Sequence, residues 1–279
     1  MKKSIILLLL IGLLQSFSFI HFQKNDLEKS CLSGEIKSIR ETSYSMSNNS
    51  ESKGEENIIS DNLTIYNPDG NKLKTSNYKN GALFSYIVYN YDQQGFITGS
   101  NEYNADGSMY LTISYSGDEK GNITKAKYDR ILQKTYDADR SSIDVEYDKY
   151  YQNLFTNISF ENDFKGNILV EKYFSENGRQ TFKILNKYDY KYNKVEVKYY
   201  NTSGNVSWRK KLKYDVEGNT NEVKLFESNR LALVSKFEYE FDQYDNWTNR
   251  IESRKLYDNF FADDLNDNTI ISIRKIEYF

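Results

Sequence analysis

From Leu63 onward, apolar and polar residues alternate with a period of two. Phe237, Tyr239 and Phe241 fall on one side of an extended segment, and Lys236, Glu238, Glu240 and Asp242 on the other. Trp208, Leu212 and Tyr214 stand against Arg209, Lys211, Lys213 and Asp215 in the same way. So do Val195, Val197 and Tyr199 against Glu196 and Lys198. Leu111, Ile113 and Tyr115 alternate with Thr112 and Ser114, and Ile143, Val145 and Tyr147 with Asp144, Glu146 and Asp148. This is the period of half-buried β-strands, each with one ring-rich face and one water-facing face.

Between these segments one phrase recurs, clearest at Tyr214-Asp215-Val216-Glu217-Gly218-Asn219. Its Asp or Asn is suited to accept main-chain N–H groups just ahead, and its Gly to take a positive φ, as in a type I turn that ends in a bulge. Copies run through Asn67–Gly70, Asp92–Gly95, Asn104–Gly107, Asp118–Gly121, Asp163–Gly166, Ser175–Gly178 and Asn201–Gly204. Tyr78–Gly81 is a shortened copy. Phe226–Asn229 and Phe241–Asn246 replace Gly by Asn or Asp, which tolerate the left-handed region. Turns lie about a dozen residues apart, which predicts a meander of repeated hairpins.

A long sheet with one apolar face must roll up or meet a partner. The expected fold is therefore all-β: an antiparallel meander of repeated hairpins rolled into a barrel-like or spiral sheet. The expected organisation is a signal peptide over residues 1–18, a strand and polar loop over 19–60, and the repeat domain over 61–279. Tyr128 to Phe160 is the least regular stretch, with decayed copies at Tyr136 and Tyr147, and reads as a longer hairpin or a seam. Asp258 to Asn268 reads as an acidic loop, and Ile270 to Phe279 as a strand that closes or caps the sheet.

The Tyr-Asp-x-x-Gly-Asn element at 214–219, with partial copies at 91–95 and 118–122, resembles the YD repeats of Rhs-type proteins. The ending Asp245-Asn246-Trp247-Thr248-Asn249-Arg250 with Arg274-Lys275-Ile276-Glu277-Tyr278 is similar to small exported YD-repeat-like proteins of Bacteroidetes-type bacteria. The resemblance implies an all-β repeat wall. The longer period, the short chain and the missing toxin domain set this sequence apart from toxin-enclosing shells.

Composition narrows the chemistry. There are 25 Tyr and 16 Phe but one Pro, one His and one Cys. Lys2 and Lys3, the apolar run Ile5–Leu14 and Ser16-Phe17-Ser18 form a secretory leader, so the chain is expected to be exported to the periplasm, cell surface or medium. No later apolar run is long enough for a transmembrane helix. Cys31 reads as an inert thiol in preference to a lipid anchor, because charged residues separate it from the leader. A formal net charge of −3 with interspersed signs argues against a nucleic-acid partner.

His21, the only His, sits near the cleavage site, where an imidazole has nothing to hold it for triad chemistry. There is no His/Cys cluster for zinc and no phosphate loop, and no cofactor is expected. Asp264, Asn266 and Asn268 resemble the start of a calcium loop, but Thr269 and Lys275 stand where Gly and Glu are required. Trp208 and Trp247 are candidates for an aromatic carbohydrate-stacking surface. The leading expectation is a non-enzymatic exported scaffold or interaction surface with a protein or glycan partner. A cell-envelope carbohydrate-binding protein and a carboxylate-based hydrolase are the alternatives.

Overall fold

The computed structural model describes residues 25–46, 58–131, 155–257 and 269–279. Within them sixteen antiparallel strands close into a barrel. The first half comprises β1 (Ile36–Met46), β2 (Ile58–Tyr66), β3 (Lys72–Lys79), β4 (Ala82–Tyr91), β5 (Ile97–Asn104), β6 (Met109–Gly117), β7 (Ile123–Arg130) and β8 (Asn157–Asn162). The second comprises β9 (Ile168–Phe174), β10 (Gln180–Tyr188), β11 (Lys194–Tyr200), β12 (Val206–Tyr214), β13 (Thr220–Glu227), β14 (Arg230–Phe241), β15 (Trp247–Leu256) and β16 (Thr269–Tyr278). A single helical turn, α1 (Asp26–Lys29), precedes them. Every strand pairs with its sequence neighbours, and β1 pairs with β16. Of the two shapes expected, the sheet adopts the closed one, and β1 is a full member of it.

The recurrent phrase is a turn in every described copy. In Asp215–Asn219, Gly218 has φ +95° and its N–H donates to the Asp215 carbonyl. Asp carboxylates accept main-chain N–H groups two and four residues on, as Asp92 does from Gln94 and Phe96. The trailing Asn adds a bond of its own. In Asp118–Asn122, Asp163–Asn167, Asp189–Asn193 and Asp215–Asn219 its amide donates to the second carboxylate oxygen. The Asp189–Asn193 copy escapes a sequence reading because Tyr192, at φ +67°, stands where Gly is usual. Ser228-Asn229 differs from expectation in the other direction. Both residues have positive φ, as do Asn80 and Gly81, so these are two-residue primed turns rather than the longer phrase.

The aromatic before the turn does more than pack. Ladders between successive hairpins stop short of this end of the barrel: β9–β10 ends at Val170–Leu185 and β11–β12 at Glu196–Lys211. The main-chain carbonyls beyond them need other donors. Tyr188 donates to the Ile168 carbonyl, Tyr214 to Lys194 and Tyr239 to Thr220. Asn162 does the same for Ile123. One hairpin is thus latched to the next.

One copy is redeployed. In Asp242–Asn246 the Asn side chain is 2 % exposed and turns to the N-terminal segment. It accepts from the Ser33 N–H at 2.8 Å and donates to the Ser33 carbonyl at 2.8 Å and to the Tyr278 hydroxyl at 2.9 Å. Tyr278 takes over the Asp242 oxygen that Asn would otherwise hold.

The register assigns each residue to one wall face. Ile39, Tyr66, Ile113, Ala126, Ile158, Phe182, Ile184 and Val197 share the inward face and are buried. Lys125, Lys127, Lys187, Lys211, Lys213, Lys236, Glu238, Glu240, Lys255, Lys275 and Glu277 occupy the other and are exposed. Outward carboxylates bridge pairs of lysines, Glu196 between Lys187 and Lys198 and Glu222 between Lys213 and Lys224.

The seams are unequal. The closing ladder β1–β16 runs from Ile36–Tyr278, past an irregularity before Ser38, to Met46–Thr269. The β7–β8 ladder consists of Lys125–Ser159, Ala126–Ile158 and Lys127–Asn157 alone. The strands that flank the irregular stretch, β7 and β8, pair antiparallel with each other, while the decayed copies at Tyr136 and Tyr147, the alternation over 143–147 and the acidic loop lie outside the described residues.

Candidate functional site

Sixteen strands enclose more space than wall side chains readily fill. Among the described residues most buried apolar side chains gather in three clusters along the wall, around Ile39 and Tyr66, around Ile113 and Ile158, and around Phe182 and Val197, the last two bridged by Phe155 and Tyr173. The interior is therefore a lined space, and its lining is uneven. Across β2–β4 it is hydroxylic, with Thr64 bonded to Thr75 and Thr75 to Tyr89. Across β12–β14 it is mostly apolar: Leu212, Val223, Leu225, Leu233 and Phe237 face in, with Lys210 opposite Leu225 and Ser235 opposite Val223 on the same face.

Where β14, β15, β16 and β1 meet, the inward face carries a charged cluster. Arg274 donates through Nε to Glu41 at 2.9 Å, and an Arg250 Nη lies 3.7 Å from the other Glu41 oxygen. Arg250 also donates to Ser272 Oγ at 3.1 Å, and Ser272 shares a hydrogen bond with Ser43. Both guanidinium groups lie on one indole: Arg274 is 3.4 Å and Arg250 4.8 Å from the centre of the Trp247 ring. Beside them Glu252 is satisfied separately, by Arg254 at 2.7 Å and by Ser235 at 2.7 Å. Arg250 Nε is buried with no acceptor.

Burial shapes the electrostatics. It lowers the Arg274 pKa against the opposing pull of Glu41, but a guanidinium stays charged at any physiological pH. Burial also pushes the Tyr66 phenol up to about 12, and raises Tyr239. None of these groups is set up as a general acid or base near neutrality. The cluster is suited to holding charge in place.

The N-terminal segment lies against the inward face at the rim that carries the β2–β3 and β14–β15 turns. Leu27 packs among Ile36, Ile39 and Tyr66. Asp26 accepts from the Lys72 N–H and the Tyr91 hydroxyl, and the Asn25 amide donates to the Asp69 carbonyl. With Ser33 docked on Asn246, the segment spans from the β2–β3 turn to the β14–β15 turn. Cys31, on this segment, is free and exposed.

Trp208 and Trp247 both face inward but at opposite rims. Trp208 lies opposite Tyr199 beside the Asn201–Asn205 turn, and Trp247 follows the Asp242–Asn246 turn beneath the arginines. They do not share one exposed surface. Asp264, Asn266 and Asn268 lie outside the described residues. Glu41, Arg250 and Arg274 escaped the sequence reading because each sits on a different strand. In β15 the alternation also suggests Ile251 as the inward residue, whereas the register turns Arg250 and Glu252 inward.

No family model matches the chain, and no curated protein sequence matches it. Solved structures do. A porin-like protein from Bacteroides uniformis superposes with a TM-score of 0.50 at 9% identity, covering 88% of this chain and 98% of that one. The two share a barrel fold. A porin-like protein from Bacteroides vulgatus gives a TM-score of 0.42 at 10% identity over 88% of this chain and 98% of its own. The Photorhabdus luminescens Tc holotoxin pore gives 0.29 at 12% identity over 78% of this chain and 14% of that one. At those scores the last two bear no weight. Among the described residues no helix is long and apolar enough to cross a membrane, which leaves strands untested.

Proposed function

We propose that the protein is an exported, non-enzymatic β-barrel that works as a container or scaffold in the cell envelope, with water outside and an aromatic, aliphatic and arginine-bearing interior. The sidedness of the wall carries this reading. A lipid-facing barrel needs an apolar outer band, and each Lys placed at the bilayer midplane costs about 2–4 kcal/mol. Here β7, β10, β12, β14, β15 and β16 each present exposed lysines outward. The shared barrel fold supports an envelope protein, and the outward lysines of these six strands favour the aqueous phase over the bilayer, although Ile251, Ile271, Ile273, Tyr44, Leu63 and Ile65 form an apolar outward patch across β15, β16, β1 and β2. The YD-repeat resemblance fits a wall of latched hairpins around an interior.

The test is to express the chain with its own leader, fractionate the cells, and mix the purified protein with liposomes in the absence of detergent. The protein is expected in the soluble envelope fraction and unbound to liposomes. Recovery only in detergent, with ion conductance across planar bilayers, would overturn the reading in favour of a membrane channel.

A further inference from the structure

We propose that Arg250 and Arg274 form an anchor for an organic anion inside the barrel, and that the ligand is an amphipathic carboxylate whose apolar part lies along the β12–β14 wall. This rests on the container reading and names what the container holds.

Charge count is the first support. Three guanidinium groups, Arg250, Arg254 and Arg274, meet two carboxylates, Glu41 and Glu252, and Glu252 is already taken by Arg254 and Ser235. Glu41 alone serves the other two arginines, which leaves one positive charge in a partly desolvated place. The second support is an orphan donor: Arg250 Nε is buried without an acceptor, and a buried donor left unpaired is costly. A carboxylate oxygen supplies what it lacks.

The geometry is preorganised. Trp247 holds both guanidinium groups against its ring, so little freedom is left to lose on binding. The pair is not sealed, since the Arg250 and Arg274 side chains keep 28% and 18% of their surface accessible. A planar guanidinium matches a carboxylate through two parallel hydrogen bonds. The adjoining wall fixes the rest of the ligand. Phe237, 6.0 Å from the Arg250 guanidinium, begins an apolar strip that continues through Val223, Leu225 and Leu212 and reaches Lys210, opposite Leu225, only at its far side. A small inorganic anion would leave that strip bare.

Dodecanoate and dodecanol, both below micellar concentration, are titrated into the full chain lacking only its leader, read by calorimetry and tryptophan fluorescence. Dodecanoate is expected to bind about tenfold or more tightly than dodecanol, and Arg250→Gln to erase that advantage without changing dodecanol binding. Glu41→Gln removes the competing internal carboxylate and is expected to tighten dodecanoate. That variant separates anchor from architecture, because a merely structural role for the cluster predicts looser binding; a loosened or unchanged dodecanoate affinity in Glu41→Gln overturns the proposal even if Arg250→Gln does not fold. Equal affinity for the two probes, indifferent to Arg250→Gln, overturns the anchor and leaves the container standing. Binding of neither probe removes the container reading as well.

Discussion

Tyr214 donates its phenol hydroxyl to the main-chain carbonyl of Lys194 at 2.8 Å, joining a strand end to the start of the strand beside it. Tyr239 and Thr220 repeat the arrangement at 2.7 Å. Each bond satisfies a carbonyl that the ladder has released. Tyr214→Phe and Tyr239→Phe are expected to cost about 1 kcal/mol each, measured by urea unfolding. Thr220, whose carbonyl Tyr239 holds, is the direct ladder partner of Tyr214, so the two latches share one hairpin end and the double variant should depart from the sum. No measurable loss in either would show that water replaces the phenol at no cost.

Asp245 has φ +61° at the place where other copies carry Gly. Asp245→Gly relieves the left-handed penalty and is expected to stabilise by about 1 kcal/mol. Gly218→Ala is the reverse experiment. A Cβ at Gly218 meets nothing within 4 Å, so its expected cost of about 1–2 kcal/mol comes from φ alone. Thermal melts of the two variants should move in opposite directions.

Asn246 and Asn219 occupy equivalent places in the phrase but do different work. Asn219 closes its own exposed turn, whereas Asn246 is buried and holds Ser33 and Tyr278. Asn219→Ala is expected to cost about 1 kcal/mol and Asn246→Ala about 3 kcal/mol, since the second also strands the Ser33 main chain. Limited proteolysis should cut the N-terminal segment faster in Asn246→Ala only.

Acid should loosen the rim that carries the β6–β7 and β14–β15 turns. The Asn122 amide and nearby main-chain N–H groups hold the Asp118 carboxyl below its ordinary range, and Asp242 is lowered as well. A carboxyl lowered in the folded state stabilises the protein above its unfolded pKa, near 3.9, and that contribution is lost as pH falls through the folded value. Melting temperature should fall below about pH 4. Asp118→Asn should flatten part of that fall.

The thin β7–β8 seam should open before the rest. Amide exchange is expected to be fastest at β7 and β8 and slowest at β1 and β16, where the ladder is longest. Hydrogen–deuterium exchange by mass spectrometry resolves these segments, and protection at β8 equal to that at β16 would contradict the expectation.

Much of this fold was legible in residue order. The period of two assigned Leu111, Ile113, Tyr115, Trp208 and Leu212 to one face, and the glycines marked the reversals. The choice between a closed and a spiral sheet was not legible, because pairing of β1 with β16 depends on the accumulated twist and stagger of every intervening strand. The copy at Asp189 was hidden by Tyr192, whose backbone is held in an unfavourable region by the strands around it. The arginine cluster was hidden for another reason. In β16 both Ile270-Ser272-Arg274 and Ile271-Ile273 include apolar residues, so alternation alone cannot say which face turns in. The tyrosines were read as packing residues, and their hydroxyls proved equally used.

The unequal seams also mean that the order of the chain is not the order of its strengths. The Phe279 N–H donates to the Glu35 carbonyl, so the C-terminus lies beside the start of β1. A circular permutant that links residue 279 to residue 25 and opens the chain between 131 and 155 would keep every described ladder except, at most, the thinnest one. Such a molecule would place its new ends at the opposite rim and leave the inward arginines, the Tyr latches and the Asn246 dock in place. The barrel is in that sense a ring with a movable starting point.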